Sequence, residues 1–323
     1  MKARFQFLFL LVLLSLLAGC SPTPSPADTP PPTEVPPLPT AVPPQFVSAI
    51  TDTSKPRLFP TTLAVDAQGN LYVADVGHAQ VQVFGPNGDF LTAWGAPGRG
   101  DGQFFVSDHC CFLGVDGESN VYVMDSSSRI QKFDSKGNFL AQWGSPGTRD
   151  GQFSDWATIA VSQDGTVYAG DVNQGGIQKF DSTGKFLLRW GEENTGSPAL
   201  FYPITVVLDE AGNVYARDGT EGKILKFDPD GSLLSEVSLP EIDGKVPLAG
   251  GFVVDSHGNV YVSDLFNHRL VALDSSGSVL SVWGSPDSGD SQVLQPKGMA
   301  LDANGNLYVA SYSNHRVLKY RLP

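Results

Sequence analysis

The chain has 323 residues, 41% of them hydrophobic, and a formal net charge of −13 at pH 7. A chain of this length buries a substantial core, so its folded part does not require a disulfide scaffold. The acidic charge repels phosphate backbones and anionic headgroups, which argues against nucleic acid as a partner and against flat docking on a lipid surface.

Residues 1–19 are predicted to be a secretory signal peptide. Lys2 and Arg4 precede an almost wholly apolar stretch, residues 5–17, that is short for a membrane-spanning helix. The stretch ends in Leu17-Ala18-Gly19-Cys20, which resembles the bacterial lipobox. The resemblance implies a lipoprotein in which Cys20 is lipidated and becomes the new N-terminus. It predicts a protein of the bacterial cell envelope, anchored to a membrane at Cys20 and facing the extracytoplasmic side, and leaves open which membrane that is.

Residues 20–45 are predicted to be a disordered linker. The segment consists mainly of Pro, Thr, Ser and Ala. Such a composition buries too little apolar surface to offset the entropy of ordering, and its prolines favour an extended spacer. We expect the linker to hold the folded domain, residues 46–323, away from the membrane.

A repeat dominates the folded domain. Its first copy runs from Val65 to Gly95, and its central tyrosine recurs at spacings of 50, 46, 47, 46 and 47 residues, at Tyr72, Tyr122, Tyr168, Tyr215, Tyr261 and Tyr308. Each copy contains short alternating segments separated by Gly and Asn turns, which is typical of four-stranded blades. A fixed period of this size predicts an all-β fold, a six-bladed β-propeller.

The repeat resembles the NHL repeat family. The resemblance rests on Pro296–Asp302, Gly305–Ala310 and the Asn-His-Arg motif at Asn314–Arg316, and it extends over six copies after residue 45. It implies a six-bladed propeller that binds a protein, peptide or glycan on one face.

The sixth copy ends after its third strand, at residues 319–323. Residues Phe46–Thr51 resemble the fourth strand of the first copy, so we expect this N-terminal strand to complete the last blade and close the ring. Four tryptophans share the outer-strand position, where we expect them to pack between blades: Trp94, Trp143, Trp190 and Trp283.

Polar residues at repeat positions are interpreted as structural. We expect the aspartates that end the second strands to accept backbone hydrogen bonds in the following loops: Asp75, Asp125, Asp171, Asp218 and Asp264. His78, His268 and His315 are predicted to occupy one equivalent position and to be structural too.

The second copy contains about three extra residues, which explains its longer spacing. They fall where the innermost strand begins, at the mouth of the predicted channel, and include Asp108, His109, Cys110 and Cys111. Asp155 and Trp156 fall at or beside the same register in the third copy. Loops on a rigid scaffold are common binding sites, so these six residues are the candidate ligand site. The adjacent cysteines are either a strained vicinal disulfide or two thiols.

These observations favour a monomeric, membrane-anchored binding or scaffold module for a protein, peptide or glycan, with no catalytic residue, metal or cofactor. The alternative is a metal-dependent hydrolase or lyase, because some propeller relatives, such as the peptide-amidating lyase, hold a metal in the channel. The sequence places no set of three histidines at matching registers. Asp108, His109 and Asp155 with the two thiols are the residues that could bind zinc.

Overall fold

The computed structural model describes residues 42–51, 57–106, 112–154, 156–192, 199–220, 222–247, 249–284 and 289–323. Among these residues, no helix is long and apolar enough to span a membrane. Two short 3-10 helices, Gly289–Ser291 and Tyr312–Asn314, accompany 24 strands, so the all-β prediction is confirmed.

The strands form six antiparallel four-stranded sheets, which are the blades of a propeller ring. Blades 1 to 3 consist of β2(Pro60–Val65), β3(Leu71–Asp75), β4(Gln80–Phe84) and β5(Phe90–Trp94); β6(Phe112–Val115), β7(Val121–Asp125), β8(Arg129–Phe133) and β9(Phe139–Trp143); and β10(Ala157–Val161), β11(Val167–Asp171), β12(Ile177–Phe180) and β13(Phe186–Trp190). Blades 4 to 6 consist of β14(Pro203–Leu208), β15(Val214–Asp218), β16(Lys223–Phe227) and β17(Leu233–Ser238); β18(Ala249–Val254), β19(Val260–Asp264), β20(Arg269–Leu273) and β21(Val279–Trp283); and β22(Pro296–Leu301), β23(Asn306–Ser311), β24(Arg316–Arg321) and β1(Gln45–Ile50).

The ring closes as the sequence predicts. Strand β1 pairs antiparallel with β24, and Ile50 lies opposite Val317. Trp94 lies opposite Val81 at the equivalent position of blade 1, so the two outer strands have the same register. The first strand of the folded domain therefore supplies the fourth strand of blade 6, which leaves no incomplete blade at the seam.

Tight turns joining the strands have a common chemistry. In the β8–β9 turn, the Asp134 carboxylate accepts backbone hydrogen bonds from Lys136 and Asn138 at 2.9 Å. A short side chain that binds the backbone two and four residues later folds the turn locally, which is why the repeat specifies the hairpins so clearly.

The core lies between blades. Six apolar clusters each combine residues of two neighbouring blades, and one of them joins blade 6 to blade 1 through Tyr308 and Leu71. The second strand of every blade is buried along its whole length because it is covered on both faces.

The tryptophans pack between blades as expected. Trp94 lies 6.4 Å from the ring centroid of Phe133 in blade 2, and a Cβ at Gly137 of that blade would lie 2.4 Å from its indole. Trp143 meets Gly184 of blade 3 in the same way. These turn glycines have φ near +85°, at +84° and +87°, so they provide both the left-handed turn and the space for the indole.

Candidate functional site

We define the loop face as the face of the ring that carries the loops entering each innermost strand and the loops leaving each second strand. The two sets meet there because Pro60, at the start of β2, lies opposite Asp75, at the end of β3. The first and second strands of blades 4 and 6 pair in the same antiparallel register. The mouth of the channel on this face is where the sequence places the candidate ligand site.

Most of the predicted site lies outside the described residues. This holds for Asp108, His109, Cys110, Cys111 and Asp155. Strand β6 begins at Phe112, directly after this segment, and β10 begins at Ala157. The prediction that these residues form a ligand site therefore stays a prediction.

Trp156 is the member of the predicted site that the structure describes. It is half-buried, and its carbonyl oxygen accepts a hydrogen bond from the backbone N–H of Val172 at 3.0 Å. Its own N–H donates to the Ser154 hydroxyl at 3.3 Å. The backbone of Trp156 is thus fixed directly before β10 by Ser154 and by the loop that follows β11.

The aspartates that end the second strands are buried. Asp125, Asp171 and Asp218 accept a backbone hydrogen bond from the following loop, as expected. Sequence reasoning missed a second contact, with the loop that enters the inner strand. Asp75 accepts a bond from the N–H of Phe59 at 3.1 Å, and Asp218 accepts one from the N–H of Phe201 at 2.7 Å. In blade 3, the Asp171 carboxylate accepts a hydrogen bond from the backbone N–H of Ser154 at 2.7 Å. Each carboxylate ties the loop that enters an inner strand to the loop that leaves its neighbour, so these side chains brace the loop face.

One expectation about the histidines is wrong. His268 and His315 directly precede β20 and β24, and both have φ above +50°. His78 lies one position earlier, and Ala79, with φ +50°, occupies the equivalent position before β4. Gly77-His78-Ala79 resembles the Asn-His-Arg motif but is shifted by one residue. The positive φ shows that Ala79, not His78, corresponds to His268 and His315. His78 instead contacts the Asp75 carboxylate at 2.7 Å through Nδ1.

Aromatic side chains are exposed on the loop face, and sequence reasoning missed them. Phe105, Phe201 and Tyr202 lie in loops that enter inner strands, and Phe266, 67% exposed, lies in the loop that leaves β19. Phe59, Phe105 and Phe201 each follow a buried apolar residue at the same repeat position, which is a signal that the sequence contains.

Cationic side chains lie over two aromatic rings of the loop face, the exposed Phe105 and the half-buried Tyr312. The Arg99 guanidinium lies 3.7 Å above the ring of Phe105, and the Lys297 ammonium lies 3.8 Å above the ring of Tyr312. Exposed aromatic groups and arginine are enriched at protein interfaces. The face therefore has the composition of a binding surface.

Among the described residues, no group of three or more His, Cys, Asp or Glu side chains is arranged to hold a metal ion. Asp108, His109, Cys110, Cys111 and Asp155 are not among them.

Comparisons with known proteins agree with this architecture. An NHL repeat model matches residues 58–84, which contain β2 to β4, and a beta-propeller repeat model matches residues 288–319, which contain β22 and β23. The chain thus carries an NHL repeat within a six-bladed propeller, which confirms the resemblance seen in the sequence. Comparison with curated proteins finds no match.

Similar solved structures include a streptogramin B lyase, with 15% identity, a TM-score of 0.58, and coverage of 85% of this chain and 97% of that one. A virginiamycin B lyase from Staphylococcus aureus has 14% identity, a TM-score of 0.55 and coverage of 85% and 88%. A protein of unknown function from Bacteroides thetaiotaomicron has 16% identity, a TM-score of 0.60 and coverage of 86% and 73%. At these identities the likeness is one of fold.

Proposed function

We propose that this protein is an extracytoplasmic binding or scaffold module that is anchored to a membrane at Cys20 and binds a protein, peptide or glycan on its loop face. The observation that carries the proposal is the set of exposed aromatic side chains on that face, with Phe266 at 67% exposure and Tyr202 at 51%. Large aromatic groups exposed on braced loops contribute much contact area at little entropic cost. The sequence predicts that the candidate site at residues 108–111 and 155–156 belongs to the same face.

Site-specific cross-linking in the native cell envelope tests the proposal. A photoreactive residue replaces Phe266 on the loop face or, as the matched control, Leu140 on the outer strand β9, which is 51% exposed. We expect a discrete cross-linked partner from position 266 and none from position 140. The same partner from both positions, or from the outer strand alone, would contradict a loop-face site.

A triple variant tests the contribution of the six residues predicted to bind the ligand. Replacing His109, Asp155 and Trp156 by Ala is expected to preserve the fold, because loop changes outside the core usually cost little, and to reduce cross-linking from position 266. Unchanged cross-linking would show that these three residues do not belong to the binding site.

The alternative function is that of a metal-dependent hydrolase or lyase with its site at the channel mouth. The residue types of the predicted site favour this alternative. His109 offers a nitrogen ligand, and Asp108 and Asp155 offer oxygen ligands, all near the predicted start of an inner strand. Metal analysis of the purified protein distinguishes the two functions. A stoichiometric metal that His109→Ala removes would support the alternative, and a metal content independent of His109 would support the binding module.

A further inference from the structure

Four blades place a lysine in the groove that separates them from the next blade. The lysine of the third strand lies opposite the repeat tyrosine of the second strand, and its ammonium lies over that ring in Lys132–Tyr122 at 4.9 Å, Lys179–Tyr168 at 5.6 Å, Lys226–Tyr215 at 4.9 Å and Lys319–Tyr308 at 5.2 Å. The groove is therefore a place where this fold accepts an alkylammonium group, on the face of the ring opposite the loop face.

Blade 4 shows how the ammonium is held. Asp209 Oδ2 accepts hydrogen bonds from Asn213 Nδ2 at 2.8 Å and from the Tyr215 hydroxyl at 3.3 Å, and it pairs with Lys226 Nζ at 3.1 Å. Burial opposes ionisation of Asp209, but hydrogen bonds from Asn213 and Lys226 outweigh it and lower the pKa of this carboxyl. The carboxylate and the ring face together bind the cation, and the Asn213 amide holds the carboxylate in place.

Blade 5 has the same carboxylate, amide and tyrosine without the lysine. Asp255 Oδ2 accepts hydrogen bonds from Asn259 Nδ2 at 2.9 Å and from the Tyr261 hydroxyl at 3.1 Å. Ala272 lies opposite Tyr261, at the position that carries lysine in blade 4. No lysine or arginine of the described residues forms an ion pair with Asp255.

A cavity lies where the lysine side chain would otherwise pass. It has a volume of 370 Å³ and is lined by Asp255, Tyr261 and Ala272 together with residues of blade 6. Three carboxylates, those of Glu210, Asp255 and Asp302, and one guanidinium, that of Arg321, line it. The lining is therefore net anionic, and Ala272 and Leu280 add apolar surface for a hydrocarbon chain.

The corresponding groove between blades 1 and 2 also contains a cavity, of 510 Å³, but its lining is less suited to an ammonium. Val83, bulkier than alanine, occupies the lysine position opposite Tyr72. The Ser119 hydroxyl of blade 2 also donates to Asp66 Oδ2 at 3.3 Å, and the chain's own Lys136 lies at the rim. In the groove between blades 5 and 6, Ala272 stands at the position of Val83 and Gly305 at the position of Ser119. Three carboxylates outnumber the single guanidinium of Arg321, so this groove is the better site.

We propose that the groove between blades 5 and 6 binds an alkylammonium group, with the chain passing over Ala272 and the ammonium between the Asp255 carboxylate and the Tyr261 ring. The chemistry is that of a lysine side chain or a free primary amine. The predicted linker, residues 21–45, contains no lysine and does not supply the group. This site is independent of the loop face, so either proposal can fail without the other.

Ligand-observed NMR with the full chain in detergent tests the site. The probe is a glycine–lysine–glycine tripeptide blocked at both ends, and its matched control replaces lysine by norleucine, which keeps the hydrocarbon chain and removes the ammonium. We expect saturation transfer to the lysine ε-methylene and at least about threefold weaker binding of the norleucine peptide, because only the charged form gains from the carboxylate and the ring. Equal binding of the two peptides would overturn the proposal.

Two variants locate the site. Ala272→Lys places the protein's own ammonium in the groove, as in blade 4, and is expected to weaken probe binding about tenfold or more while preserving or raising the thermal unfolding midpoint. Val83→Lys makes the same change in blade 1 and is expected to leave probe binding unchanged. Probe binding that survives Ala272→Lys in a folded protein would overturn the assignment.

A neutral substitution and a second probe complete the test. Asp255→Asn keeps the shape and removes the charge, so it is expected to abolish the preference for lysine over norleucine. The diamine 1,5-diaminopentane presents the same group without a peptide. Tighter binding of the tripeptide supports a polypeptide source, tighter binding of the diamine supports a free amine, and binding of neither would contradict the site.

Discussion

At the scale of single residues, the buried aspartates of the loop face are the structural centres of the repeat. Asp171 accepts hydrogen bonds from the backbone N–H groups of Ser154, Asn173 and Gln174, and from the Ser154 hydroxyl at 2.6 Å. One carboxylate thus joins the loop that enters β10 to the loop that leaves β11.

Replacing Asp171 by alanine is expected to lower the free energy of unfolding by about 1–3 kcal/mol, because several loop N–H groups lose their acceptor in a buried setting. The matched control is Asp101→Ala, at an exposed loop position, where we expect a change within about 0.5 kcal/mol. Urea unfolding measures both. A similar loss in the two variants would show that the buried carboxylate does not brace the face.

The sequence predicts the structural role of residues that recur in each copy. It did not predict the exposed aromatic residues, because these also recur and therefore do not stand out. The role of Asp125, Asp171 and Asp218 was predictable because a carboxylate that accepts from the backbone N–H two residues later makes a local contact, which recurs in these blades. The aromatic residues Phe59, Phe105 and Phe201 were missed because they occupy a regular repeat position, whereas the ligand site was predicted from residues that depart from the repeat. His78 was misplaced because a one-residue shift in a short motif changes few letters and is visible only in the backbone.

At the scale of elements, the strands were predictable because turn and alternation are encoded within each copy. Pairing across the chain was predictable for a different reason. A blade with three strands leaves an unpaired edge, and the spare strand at the other end of the domain has the matching pattern. The inserted segment before β6 has no counterpart in the other copies, so the repeat gives no information on its conformation.

Deleting residues 46–51 is expected to lower the thermal unfolding midpoint strongly or to prevent folding. The deletion removes most of β1, whose partner β24 then becomes an edge, and it removes Ile50, which is buried in the cluster that joins blades 6 and 1. Deleting residues 21–40 is the control and should leave the midpoint nearly unchanged, since a polar, proline-rich spacer contributes little to a packed core. Equal midpoints for the two truncations would contradict closure of the ring by β1.

At the scale of the whole molecule, the acidic chain and its N-terminal sequence make a covalent lipid the expected means of attachment. With a net charge of −13, the protein gains nothing from an anionic membrane surface. Stable anchoring needs two or more acyl chains, and these are predicted to be attached at Cys20. Cys20→Ala is therefore expected to move the protein from the membrane fraction to the soluble fraction after a salt wash. Cys110→Ala, which keeps Cys20, is the control and should stay with the membrane. A Cys20→Ala protein that stays with the membrane would contradict lipid anchoring.

The repeat tyrosines make the whole ring sensitive to alkali. Burial raises the pKa of Tyr168 to about 12, and burial followed by a nearby aspartate raises the pKa of Tyr72, Tyr122, Tyr261 and Tyr308 as well. The unfolded chain ionises these phenols near pH 10, so the folded state binds more protons above that pH. The stabilisation is complete below about pH 10 and is lost as the pH rises through the folded pKa values.

We expect the urea midpoint to be constant from pH 7 to about pH 9 and to fall steeply above about pH 10. Tyr168→Phe removes one of these phenols, and among the described residues its hydroxyl has no hydrogen-bond partner, because Ser162 stands where the other copies have aspartate. This variant should match the wild type at neutral pH and lose stability less steeply above about pH 10. Lys179 lies over the same ring position in both proteins, so the two proteins differ by the phenol hydroxyl alone. Identical alkaline slopes for the two proteins would show that ionisation of the repeat tyrosines does not limit the fold.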